Sequence, residues 1–204
     1  MIGGSAMLYY KLKDATKDID IVLLNEKDRQ YVLKTMKALG YAERNSKIIY
    51  VNKKNVPILL QRDQNRFDLF NRKIINLKFS DGMVERVNLV YEYKNLTAKV
   101  VSPEDIIILK CATDRAGDRL DAANIIKNTN INWNVLFQES INQMNLIGDV
   151  IPLNLYQFLL ELREDLNIEI PEELIKKLEN ECEKILTEKL KKGNTIRVTK
   201  YNKK

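Results

Sequence analysis

Apolar residues recur along this chain in two rhythms, and the change from one to the other divides it. Ile19, Ile21, Val22, Leu23 and Leu24 form a short apolar run that predicts a buried strand over 19–24. Ahead of it, Met1-Ile2 reads as the end of a strand, Gly3-Gly4 as a turn, and Met7, Leu8 and Leu12 as the apolar side of a short helix. Because the chain opens almost on this turn, a helix and the start of a strand are expected before it, missing here or supplied elsewhere. Val32, Met36 and Leu39 recur at helical spacing, which predicts a helix over 27–39 that stops at Gly40. From 47 to 101 the pattern turns to that of strands, predicted at 47–51, 56–61, 66–70, 83–91 and 97–101. Ser80-Asp81-Gly82 serves as a turn between two of them.

Beyond residue 101 the rhythm is helical. Ser102 is placed to cap a helix, Pro103 fits its first position, and Asp105 can close a capping box at the third. Helices are predicted at 103–113, 118–128, 132–145, 153–166 and 171–190, punctuated by Pro152 and Pro171, with Gly193 ending the last. Residues 195–201 suit an edge strand or a loose tail. The pattern gives an α+β chain: an α/β half over 1–101 and a helical subdomain over 102–204.

Composition narrows the chemistry. With 204 residues and 45% hydrophobic content the chain can bury a real core. No apolar run approaches the ~20 residues that span a bilayer. No signal-peptide pattern opens the chain, so a cytoplasmic location is expected and Cys111 and Cys182 are expected as free thiols. Histidine is absent, which excludes an imidazole base and any His-ligated zinc; catalysis must run on carboxylates, Lys, Arg, Ser or Tyr. The net charge of +6 is concentrated at the end, where Lys189, Lys191, Lys192, Arg197, Lys200, Lys203 and Lys204 occur with no acid among them. Such a tail can attract a polyanion such as RNA, or can simply be solvated.

The carboxylates carry the strongest signal. Asp18 and Asp20 are two apart in a strand, so both point to one face while Ile19 and Ile21 point to the other. Two carboxylates on one face repel unless a cation lies between them, and hard oxygen ligands favour Mg²⁺ or Mn²⁺. An Asp-x-Asp can be a mere solvated face, but this one interrupts an apolar strand. Gly4-Ser5 lies upstream at a strand-to-helix turn, where glycine permits close backbone approach and amide N–H groups can meet an anion. Arg66-Phe67-Asp68-Leu69-Phe70 places a third carboxylate, Asp68, in another apolar strand; its structural alternative is an ion pair with Arg66 or Arg72. Asp63 and Asp81 sit in turn-like contexts and rank lower.

Gly3-Gly4-Ser5 followed by Thr16-Lys17-Asp18-Ile19-Asp20-Ile21 resembles the paired signature of the DNA polymerase β-like nucleotidyltransferase superfamily. The resemblance implies a mixed β-sheet flanked by helices. It also implies transfer of a nucleoside monophosphate from an NTP, with pyrophosphate leaving. Carried over by position, Gly4 and Ser5 hold the triphosphate, Asp18 and Asp20 bind metal, and Asp68 binds the catalytic metal and helps deprotonate the acceptor.

A second constellation lies in the helical half. Lys110 emerges from the apolar run Ile106-Ile107-Ile108-Leu109, and Arg115, Asp118 and Asp121 follow, the last two at i and i+3 on one helix face. The residues allow an inter-helix ion pair or a phosphate contact. The segment from Ser102-Pro103-Glu104-Asp105 through Lys110, Arg115, Asp118 and Asp121 is similar to one in small prokaryotic nucleotidyltransferases, including abortive-infection type toxins. That similarity implies that Lys110 contacts phosphates with Arg115 beside it, that Asp118 orients the acceptor, and that an antitoxin protein is a possible partner. Gly117 departs from the lysine usual there, and Lys11 and Lys13 are the nearest equivalents of the basic motif expected after the glycine turn. RNA, tRNA in particular, is the first acceptor expected and a small molecule of aminoglycoside type the second; a catalytically inactive binding protein of the same fold is the competing reading.

Overall fold

The computed structural model describes residues 1–191 apart from 52, 114 and 149. Its elements are α1 (Gly3–Tyr9), β1 (Ile19–Leu23), α2 (Glu26–Ala38), β2 (Ala42–Arg44), β3 (Ile58–Arg62), β4 (Asn65–Asn71), β5 (Lys73–Ile74), β6 (Leu77–Lys78), α3 (Asp81–Glu85), β7 (Asn88–Tyr93) and β8 (Leu96–Val100). The helices α4 (Pro103–Cys111), α5 (Ala116–Asn128), α6 (Trp133–Ile147), α7 (Ile151–Leu166) and α8 (Glu172–Lys191) complete it. The fold is α+β, a mixed sheet flanked by helices with a helical region toward the C-terminus, as the pattern predicted. Residues 195–201 and most of the basic tail lie outside the described residues.

β4 is the hub of the sheet. β1 runs parallel to it along one edge, β3 pairs antiparallel along the other, and β2, β5 and β6 extend the sheet. The β1–β4 register sets Asp20 opposite Asp68 and Val22 opposite Phe70. Residues in register on adjacent strands point to the same face, so the parallel pairing brings two acids far apart in sequence side by side. Ile2 adds a single antiparallel bridge to Asp20, its N–H donating to the Asp20 carbonyl at 3.0 Å.

Two strand expectations are corrected. Residues 47–51 are not a strand: Ser46–Ile48 form a 3₁₀ turn capped by Asn45, whose side chain accepts from the Lys47 N–H. Local capping beats the β-propensity of this Ile/Tyr/Val-rich segment, since the Asn45 side chain offers the backbone a hydrogen bond that competes with strand pairing. Residues 83–91 do not form one strand either. Ser80, expected in a turn, caps a helix by accepting from the Met83 N–H at 3.0 Å, so Met83 and Val84 fall in α3 and β7 begins only at Asn88. The capping expectation at Ser102 holds: Pro103 opens α4 and the Ser102 hydroxyl accepts from the Asp105 N–H.

One apolar cluster runs from Ile2, Ala6 and Met7 through Phe70, Leu77 and Met83 into Ile106, Ile107, Ile108, Leu155, Phe158 and Leu178. It packs α1 and the sheet against α4 and the later helices. The loop after α1 is fastened to the helical half as well, since the Asn124 amide donates to the Leu12 carbonyl at 2.6 Å. Cys111 and Cys182 are buried and unpaired with each other. Among the described residues no helix is long and apolar enough to cross a membrane.

Candidate active site

Asp18, Asp20 and Asp68 lie on one face of the β1–β4 pair, with Asp18 just ahead of β1. Asp68 is fully buried. Its carboxylate accepts from the Tyr50 hydroxyl at 2.7 Å and from Arg66 Nε at 2.9 Å. Arg66 shares the face of Asp68 two residues away on β4, and its other guanidinium nitrogen donates to Asp18. One guanidinium therefore bridges two of the three acids. Of the two arginines that could have paired Asp68, Arg66 does so, and Arg72 turns instead to Asp81.

Asp20 has no such partner of its own. Burial, then the neighbouring Asp18 and Asp68, push its carboxyl up to about 7, against the pull of Arg66 and Arg115. Burial also raises Asp68, and the hydrogen bonds from Tyr50 and Arg66 offset only part of that. The Tyr50 phenol is driven well above its ordinary value by burial and by the carboxylate it serves, so it stays a donor. For Arg66, burial alone would lower the guanidinium, but Asp68 and Asp18 outweigh it.

Gly3 and Gly4, expected as a turn, instead open α1 and fit tightly beneath this cluster. Gly3 has φ +59°, and a Cβ there would come within 2.4 Å of an Asp20 carboxylate oxygen. A Cβ on Gly4 would come within 2.5 Å of the Thr16 hydroxyl oxygen. That hydroxyl donates to the Asp18 carbonyl at 3.1 Å. Both glycines are thus required by close approach to the acid-bearing strand. Ser5 is buried, and its hydroxyl donates to the Ile2 carbonyl at 2.8 Å.

The second constellation forms where α4 meets α5. Lys110, buried, donates to Asp118 at 2.8 Å and to Asp121 at 2.6 Å. Lys13 reaches Asp121 at 3.1 Å from the loop after α1, and Arg115 Nε reaches Asp118 at 2.8 Å. Thr113 donates a further hydrogen bond to Asp118. Burial would raise the Asp118 carboxyl, but Lys110, Arg115 and Thr113 outweigh it and hold it below the usual carboxylate range. Arg115 connects the two constellations. Although it bonds Asp118, its side chain is 71% exposed. It also acts electrostatically on Asp20 and Tyr50.

The predicted residues therefore gather in two adjoining groups, Asp18, Asp20 and Asp68 in one and Lys110, Arg115 and Asp118 in the other. Gly3-Gly4 lies under the first, while Ser5 is turned to its own helix. Tyr50 and Thr113 were missed by the sequence reading. Tyr50 sat in a stretch expected as strand, and no spacing links it to Asp68; a hydroxyl three residues past Lys110 carries no periodic signal either. A family model described as nucleotidyltransferase of unknown function (DUF6036) matches residues 1–166, ending where α7 ends, and the chain belongs to that family. No curated protein matches it.

Proposed function

We propose that this nucleotidyltransferase-family chain is a divalent-cation-dependent enzyme that transfers a nucleoside monophosphate from an NTP to an acceptor, with Asp18, Asp20 and Asp68 as its Mg²⁺ or Mn²⁺ ligands. The observation that carries the reading is the in-register pair Asp20 and Asp68 with Asp18 beside them: three acids and one arginine on one face. The donor set is all carboxylate oxygen, which suits a hard cation. Among the described residues no three acids are drawn into a ready-made cage, because Arg66 stands between Asp18 and Asp68. Bound there, a divalent cation would neutralise the triphosphate and activate the acceptor hydroxyl.

The chain's own groups divide the remaining work. Tyr50 and Arg66 hold Asp68 in one orientation, from which it can accept the acceptor's proton. Arg115 is open to solvent and electrostatically linked to Asp20, so it is the cation we assign to the nucleotide phosphates. Lys110 is committed to Asp118 and Asp121. That pairing weighs against the direct phosphate contact the resemblance gives it, and favours a role for Lys110 and Asp118 in positioning Arg115. The glycine turn, Gly4 and Ser5, is retained for the triphosphate on resemblance alone. RNA or tRNA as acceptor rests on the basic tail, a small-molecule acceptor stands as the alternative, and an antitoxin partner rests on the resemblance of the segment over 102–121.

A second reading, a nucleotidyltransferase fold serving only to bind, is favoured by the internal pairing of Asp18, Asp68 and Lys110. Radiolabelled NTPs offered with Mg²⁺, total RNA and small acceptors separate the two. The enzyme reading expects label transfer by the wild type and none by a folded Asp18→Ala/Asp20→Ala variant. NTP binding without transfer to any acceptor, unchanged in that variant, sinks it.

A further inference from the structure

We infer that Arg66 is a resident cation that competes with the divalent metal for Asp18 and Asp68, so that metal binding requires its guanidinium to leave. The inference rests on the metal-dependent reading above and adds to it the residue that sets metal affinity. Its basis is position. Arg66 donates through Nε to Asp68 at 2.9 Å and through Nη2 to both Asp68 and Asp18, so its charge occupies the space between the two carboxylates. A Mg²⁺-sized ion takes carboxylate oxygens at about 2.0–2.1 Å. A guanidinium and a metal cannot both sit between the same two oxygens.

Charge and access favour the exchange. The cluster carries three acids against one bridging arginine; Asp18 and Asp68 share that guanidinium, while Asp20 interacts with Arg66, Arg115 and the Met1 ammonium through space. A dication neutralises that set better than a monocation. The way out is open: Asp68 is fully buried, but Arg66 and Asp18 are 24% and 21% exposed. The guanidinium therefore lies at the rim and can swing to solvent without crossing the core. Tyr50 remains to hold Asp68 when Arg66 leaves. In the metal-free chain Arg66 also keeps the acids from repelling one another, which gives it a structural as well as a gating part.

The test is Mn²⁺ binding to the full chain, by titration calorimetry and by electron paramagnetic resonance, for wild type, Arg66→Gln, Arg66→Lys and Asp20→Asn. Arg66→Gln is expected to bind Mn²⁺ about tenfold tighter, the equivalent of removing one modest ion-pair competitor. Arg66→Lys should fall between, because an ammonium contacts one carboxylate more readily than two. Without metal, Arg66→Gln should melt lower than wild type, and Mn²⁺ should raise its melting temperature by more. Equal or weaker Mn²⁺ affinity in Arg66→Gln overturns the inference and leaves the metal site standing. Saturable binding absent from wild type and Arg66→Gln alike removes the metal site and the inference together. Should Arg66→Gln fail to fold without metal, Arg66→Lys carries the comparison.

Discussion

Two ionic clusters adjoin in this molecule, linked electrostatically through Arg115, and they are built to opposite charge ratios. On the sheet, Asp18, Asp20 and Asp68 share a single bridging arginine. Between α4 and α5, Asp118 and Asp121 share three cations, Lys110, Lys13 and Arg115. Burial acts on acids in both clusters, and neighbouring charge separates the outcomes: Asp20, buried beside two acids, is pushed up to about 7, while Asp118, buried among Lys110, Arg115 and Thr113, is held below its usual range. A cluster that supplies its own counter-charge stabilises the fold and asks for nothing more. A cluster left short of positive charge is costly as it stands and is relieved by a ligand that brings charge. Both groups look alike in sequence, as acids and bases at close spacing; stoichiometry in space tells them apart.

The two clusters should therefore break differently. The largest stability loss is expected at Lys110→Met, which leaves Asp118 and Asp121 without their shared buried partner. Chemical denaturation should record a cost of about 1.5–3 kcal/mol, the range for losing charged hydrogen bonds, since Asp118 keeps Arg115 and Thr113 and Asp121 keeps Lys13. On the sheet the largest effect should be on turnover: under the proposed function, Asp68→Asn is expected to lower nucleotide transfer by a factor of about 10²–10⁴, since it removes the carboxylate proposed to take the acceptor's proton. Its melting temperature should move far less than that of Lys110→Met. Smaller still is Lys13→Ala. It removes a more exposed cation from an aspartate that keeps Lys110, and about 1 kcal/mol or less should be lost. A loss at Lys13 as large as that at Lys110 would mean the helical cluster depends on its rim, and the contrast would need redrawing.

How much of this was legible in the sequence follows from the range of each interaction. β1 and β4 could be read because acids interrupt apolar runs, and the Ser102 cap because its partner is three residues away. The contact of Asp20 with Asp68 could not, since it depends on a parallel pairing between strands that are not consecutive, and nothing in the pattern chooses that neighbour. The residues at 47–51 and 83–84 were misread for the opposite reason. Their apolar, β-prone composition was plain, but Asn45 and Ser80 offered the backbone a local hydrogen bond and won. That error hid Tyr50, whose side chain reaches Asp68 only because the chain coils there. At Lys110 the sequence allowed both an ion pair and a phosphate contact; the structure has the ion pair, with both aspartates rather than one.

The buried Asp20, short of a cation of its own, is the costliest group on the sheet as it stands, and stability against pH reads the combined effect of its burial and its acidic neighbours. In the metal-free protein the folded Asp20 carboxyl titrates at about 7, above the ~3.9 of an unfolded aspartate. The folded state therefore binds more protons between those values, and stability must fall as pH rises from about 4 to about 7 and stay reduced above it. Urea denaturation of wild type and Asp20→Asn in chelator, at pH 5 and pH 8, reads this out. Asp20→Asn should flatten the decline and be the more stable protein at pH 8, by about 1–3 kcal/mol. An Asp20→Asn protein less stable than wild type at pH 8, as the loss of an ordinary paired aspartate would give, contradicts it.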